Sequence, residues 1–139
     1  MGPMEMLDDV IWSAIRAEAR RDTEREPHLA SFLYSTILAQ KSLESAMAFH
    51  LANKLKSPTL LNTQLYGLFL DIFEREPQVP DAFRADMLAV VERDPACDSL
   101  AQCMLYFKGF IALQGYRCSH VLWNDGRKSL ALTLQSRIS

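Results

Sequence analysis

The stretch LAQCMLYFKGFIALQGYRCSHVLW, Leu100–Trp123, decides how the rest of the chain is read. Met104, Phe107, Ile111, Gln114 and Cys118 fall on one line at three- and four-residue spacing, with Leu105, Ala112 and Tyr116 beside it. That period is the mark of a helix, and no other run in the chain sustains it as long. The reading is a long central helix near residues 100–123. Gly109 and Gly115 lie inside it, although each costs ~1 kcal/mol relative to alanine; a close approach by a neighbouring backbone would explain them, as would chance. Directly before it, Arg93-Asp94-Pro95-Ala96-Cys97-Asp98 is a tight acidic turn in which proline forces a stop.

Working outward, the upstream chain divides at prolines into shorter amphipathic helices. Leu7, Val10, Ile11, Ala14, Ile15 and Glu18 recur at helical spacing, with Asp8 and Asp9 near the start, where negative charge suits the helix dipole. Glu26-Pro27 ends that helix. His28 to Lys41 reads as a second, with Leu29, Phe32, Leu33, Thr36 and Ile37 on one side. Ser42 is placed to cap a third, Leu43 to Leu55, with Ser45 where a full capping box has glutamate. Asn62 or Thr63 opens a fourth, with Leu65, Leu68, Phe69, Ile72 and Phe73 as its apolar face. Glu76-Pro77 closes it, and Val79-Pro80-Asp81 opens a fifth that runs to Arg93. Downstream, Asn124-Asp125-Gly126 is a C-cap signal, and Lys128 to Ile138 forms a last short helix. No alternating run reads as a strand. The fold class is therefore all-α, a bundle of about six to eight helices in one domain spanning residues 1–139.

Composition narrows the function classes. A chain of 139 residues with 49% hydrophobic and 23% charged residues can bury a core. A net charge of −2 gives no footprint for nucleic acid. Lys108, Arg117 and His120 interrupt the longest apolar stretch, so no membrane span is expected. No signal peptide is visible at Met1 to Val10, and a cytoplasmic protein is the default. The three cysteines, Cys97, Cys103 and Cys118, form no CxxC pair and suit free thiols in a reducing compartment.

Few residues offer chemistry. His28, His50 and His120 stand in no metal-ligand spacing, so no metal site is expected. His50 and His120 read as hydrogen-bonded core or interface residues, and Cys103 and Cys118 as small core residues. There is no phosphate loop and no nucleophilic serine motif. Asp94 and Asp98 remain. Asp94, held at a helix end by Pro95, can offer a carboxylate to an ammonium or hydroxyl group, or it simply ends one helix while Asp98 or Ser99 caps the next.

Several phrases fall in order along Ile11 to Ser139: Ala52-Asn53-Lys54-Leu55, Ser57-Pro58-Thr59, Arg93-Asp94-Pro95-Ala96, Lys108-Gly109-Phe110, Ala112-Leu113-Gln114, Tyr116-Arg117, Leu122-Trp123-Asn124 and Leu134-Gln135-Ser136-Arg137-Ile138-Ser139. Together they resemble the N-terminal helical domain of serine O-acetyltransferase, with Pro58-Thr59-Leu60-Leu61 and Asp94-Pro95-Ala96-Cys97 closer to plant-type members.

The resemblance implies an acyltransferase that moves an acetyl group from acetyl-CoA to L-serine, giving O-acetyl-L-serine for cysteine biosynthesis. It implies L-cysteine as feedback inhibitor and a homo-oligomer built as a dimer of trimers. It also implies docking on O-acetylserine sulfhydrylase through a C-terminal tail. In the family the catalytic histidine base and the acetyl-CoA cleft belong to a hexapeptide-repeat β-helix. That domain is expected to be absent here, so this chain is expected to be inactive alone, with no catalytic residue and no cofactor of its own. His28, His50 and His120 match none of the catalytic histidines. Asp94 matches the aspartate that the helical domain lends to the serine pocket. Asp98 aligns with a more variable position and is a secondary candidate. A plant-type member could be organellar once a transit peptide is removed. The competing reading is a stand-alone helical oligomerisation module without catalysis.

Overall fold

Serine and proline punctuation sets most of the helix ends. The computed structural model describes residues 3–138, with side chains from Val10 onward; the expected roles of Leu7, Asp8 and Asp9 side chains lie outside the described residues. Among those residues there are α-helices and short helical turns and no strand, which bears out the all-α reading. The helices are α1 (Pro3–Arg25), α2 (Ala30–Leu33), α3 (Leu43–Leu55), α4 (Asn62–Arg75), α5 (Gln78–Arg93), α6 (Leu100–Tyr106), α7 (Lys108–Asn124) and α8 (Lys128–Ser136). The expected second helix is irregular: a 3-10 turn at Pro27–Leu29 leads into α2, and a π turn at Tyr34–Leu38 follows it. Leu33, Thr36 and Ile37 are buried as its apolar side, whereas Phe32 is exposed.

Capping chemistry explains α3 and α4. At Ser42 the capping box forms with serine at both ends: Ser45 N–H donates to Ser42 Oγ at 3.2 Å and Ser42 N–H to Ser45 Oγ at 3.3 Å. For α4 neither Asn62 nor Thr63 is the cap. Leu61 occupies that position, and its N–H is taken by Gln64 Oε1 at 3.1 Å. α3 and α4 form a hairpin, as do α7 and α8, while α6 packs on α1 and α5 and α7 packs on α5. Phe69, Phe83, Met47, Met87 and Met104 fill the centre, with Phe73 and Phe83 edge to face at 5.4 Å.

Long-range polar contacts fix the helices to one another. Glu18 Oε2 on α1 accepts the N–H of Ala101 at 2.9 Å, and Ser99 Oγ accepts that of Gln102, so two side chains satisfy the first turn of α6. Buried Arg84 on α5 pairs with Glu44 on α3. Arg137 donates to the carbonyls of Leu55 and Lys56 at 3.0 and 2.7 Å and so caps α3 at its negative end. A Schellman motif closes α7: Arg127 N–H reaches Leu122 O, Gly126 N–H reaches Trp123 O, and Gly126 takes φ +81°.

The stretch read as one central helix is two. Phe107 is extended (φ −83°, ψ 102°) and separates α6 from α7. Apolar period cannot register such a break, because Met104, Phe107 and Ile111 still face inward or half-inward across it. No helix among the described residues is long and apolar enough to cross a membrane.

Candidate functional site

The break at Phe107 opens a groove. On one side stands the C-terminal half of α5, with Asp86, Ala89, Val90 and Arg93; at its end come Asp94 and Pro95. Across from them run Phe107, Lys108, Gly109 and Phe110 at the start of α7, followed by Leu113. The space is ≈ 690 Å³, with an apolar floor and two residues of each charge sign among its lining.

Asp94 is shaped by its place in the chain. It is the C-cap of α5, its N–H still bonded to Val90 O at 2.9 Å, and it is extended, as a residue before proline must be. Its Oδ1 accepts the N–H of Ala96 at 2.9 Å, which closes an Asx turn around Pro95. The carboxylate is half-buried, sits at the negative end of the α5 dipole and lines the groove. The structural and ligand-facing readings of Asp94 therefore coexist: one oxygen holds the turn while the residue borders open space. Asp98 does not share the site. It is exposed, its N–H is held by Gln102 Oε1 at 2.8 Å, and Ser99 rather than Asp98 caps α6.

A second carboxylate in the groove is Asp86, two turns before Asp94 on α5. Its Oδ2 accepts from Gln114 Nε2 and from an Arg117 N–H, both at 2.9 Å, which clamps α5 to α7. Sequence reading did not single out Asp86. The available signal was its spacing of eight residues from Asp94, which puts both on one helix face. The apolar period puts Phe107, Lys108 and Gly109 in mid-helix; the break makes them the groove's opposite wall instead.

The other expected residues lie elsewhere. His50 is buried on α3, its Nε2 donating to Leu105 O at 3.1 Å, and burial pushes its pKa down to about 4. His120 is not a core residue: it is exposed, with Nε2 accepting from Asn124 at 3.1 Å. Cys103 and Cys118 are fully buried, and burial raises both thiols to about 12. Cys97 is buried too, its thiol against Ser99 O. Of the two glycines, Gly115 meets a close neighbour, Ile138, a side chain rather than a backbone; Gly109 meets none. Among the described residues no group of three or more His, Cys, Asp or Glu is placed to hold a metal ion.

Comparison with known proteins bears on this arrangement. The family model for the N-terminal part of serine acetyltransferase matches residues 11–115. Serine acetyltransferase 5 of Arabidopsis thaliana is 57% identical over 93% of this chain, which covers 41% of that protein. The chain thus spans about two fifths of the length of the curated relatives it matches. Among solved structures, soybean serine acetyltransferase complexed with serine superposes with a TM-score of 0.92 at 54% identity, covering 94% of this chain and 54% of that one. The enzyme from Brucella abortus in complex with coenzyme A gives 0.94 at 40% identity, covering 99% and 55%. A match over three quarters of the sequence, on the same helical fold, settles the family: the chain belongs to the serine acetyltransferases and corresponds to their N-terminal domain.

Proposed function

We propose that this domain serves a serine O-acetyltransferase, which transfers the acetyl group of acetyl-CoA to L-serine, and that it lends Asp94 to the serine pocket. The observation that carries the reading is the position of Asp94, half-buried at the border of an open groove with one oxygen already fixed by Ala96. A carboxylate held in that way can take a charge-assisted hydrogen bond from the substrate's ammonium or hydroxyl group. The groove is open on one side, which suits a pocket whose other walls come from the remainder of the enzyme. In this reading L-cysteine occupies the same place as feedback inhibitor. The exposed apolar side chains Tyr116, Trp123 and Leu132 supply surface for assembly into a homo-oligomer. Docking on O-acetylserine sulfhydrylase belongs to the full-length protein, not to this domain.

The test uses a full-length acetyltransferase carrying this domain and a thiol-release assay. Asp94→Ala raises the apparent KM for serine and weakens cysteine inhibition together, while the KM for acetyl-CoA stays put. If neither serine nor cysteine responds, Asp94 only ends a helix and the reading is wrong. The 139-residue chain alone is expected to give no turnover.

A further inference from the structure

Leu105 lies in the last turn of α6, and in a continuous helix its carbonyl would accept the N–H of Gly109. The extended Phe107 carries Gly109 out of reach of that pairing. Leu105 is buried, and a buried carbonyl without a donor is costly. The donor comes from α3, a helix that gives no residue to the groove: His50 Nε2 stands 3.1 Å from Leu105 O. Since a carbonyl only accepts, Nε2 carries the proton. The residues released by the break, Phe107 to Phe110, are those that face the groove bordered by Asp94.

We propose that His50 is a positioning residue for this groove: by replacing the helical donor that the break removes, it keeps α6 and α7 apart and holds Phe107–Phe110 in the groove wall. It touches no ligand and works from behind. The consequence for serine rests on the reading of the groove given above; the consequence for the break does not.

Two variants separate these. His50→Leu fills a similar space without a donor, and His50→Gln keeps an N–H able to reach Leu105 O. In the 139-residue chain, amide exchange at Phe107 and Ile111, whose N–H groups bond to Cys103 O and Phe107 O on either side of the break, should quicken roughly tenfold in His50→Leu relative to α4, the effect of one lost hydrogen bond, and return near the parent rate in His50→Gln. In a full-length acetyltransferase, His50→Leu should raise the KM for serine several-fold with the KM for acetyl-CoA unchanged. Faster exchange with an unchanged serine KM keeps the role of His50 and removes serine from the groove. Unchanged exchange in His50→Leu, or equal loosening in His50→Gln, overturns the role of His50 whatever the kinetics show. Should His50→Leu not fold, His50→Gln decides alone: a loosened first turn of α7 sinks the proposal, and a parent-like one sustains it.

Discussion

Gly115 on α7 and Ile138 compete for one space: a Cβ at Gly115 would stand 2.8 Å from Ile138 Cδ1 and 3.2 Å from its Cγ1, with Leu55 Cδ1 at 3.6 Å. A methyl group there forces the outer end of the Ile138 side chain aside, which offsets a helix-propensity gain of ~1 kcal/mol. Gly115→Ala should therefore stabilise less in urea unfolding than Gly109→Ala, which meets no neighbour. In an Ile138→Ala background the same change should be more favourable, giving a coupling above about 0.5 kcal/mol. Additive effects would show that the two positions do not share space.

Acid should weaken the fold through His50. Burial is the main cause that lowers its pKa from 6.5 to about 4, the Leu105 bond opposes it and Lys54 adds to it. The unfolded chain then takes up a proton before the folded one. The contribution is complete above pH 6.5 and is lost as pH falls towards 4, amounting to about 3 kcal/mol at most. Unfolding free energies measured across that window should fall more steeply for the parent than for His50→Gln. Parallel curves would mean that the imidazole is not held neutral.

The clamp between α5 and α7 should show up as a coupled set. Asp86→Ala removes two hydrogen bonds from a carboxylate and strands the amide of Gln114, which is fully buried. A loss of ~2–3 kcal/mol is expected. Arg117→Met should cost less, since its side chain is about one third exposed. A double-mutant cycle by thermal unfolding should give a coupling of ~1 kcal/mol; a value near zero would make the clamp energetically empty.

Gly109 tests the groove from the opposite direction. Nothing lies within 4 Å of a Cβ built there, and the residue is in the first turn of α7. Gly109→Ala should raise stability by ~0.5–1 kcal/mol in denaturant titrations. In a full-length enzyme the same methyl group narrows the groove, so serine should bind less well although the protein is more stable. Stability and serine affinity rising together would place the substrate elsewhere.

Much of the fold was legible because its punctuation is chemical. Ser42, Pro27, Pro77 and Gly126 mark ends that one side chain or one φ value determines, and they lie where expected. The break at Phe107 was not legible, because what sustains it comes from His50 on another helix. The caps supplied by Glu18 and Arg137 escaped for the same reason, lying 83 and about as many residues from the backbone they satisfy. In the site, Asp94 was visible from its proline and from the family likeness. Asp86, a mid-helix aspartate, gave no sign until Gln114 and Arg117 were seen to converge on it.

The capping of α3 by Arg137 also has a mechanical side. Arg137 grips the carbonyls of Leu55 and Lys56, and five residues earlier on the same helix His50 grips Leu105. Along a helix that interval is ~7.5 Å, a length set by backbone hydrogen bonds and hardly able to stretch. Residue 137 and the rear of the groove thus hang on one short strut. The two contacts therefore share one helical segment, with no loop between the backbone that Arg137 holds and the residue that holds Leu105.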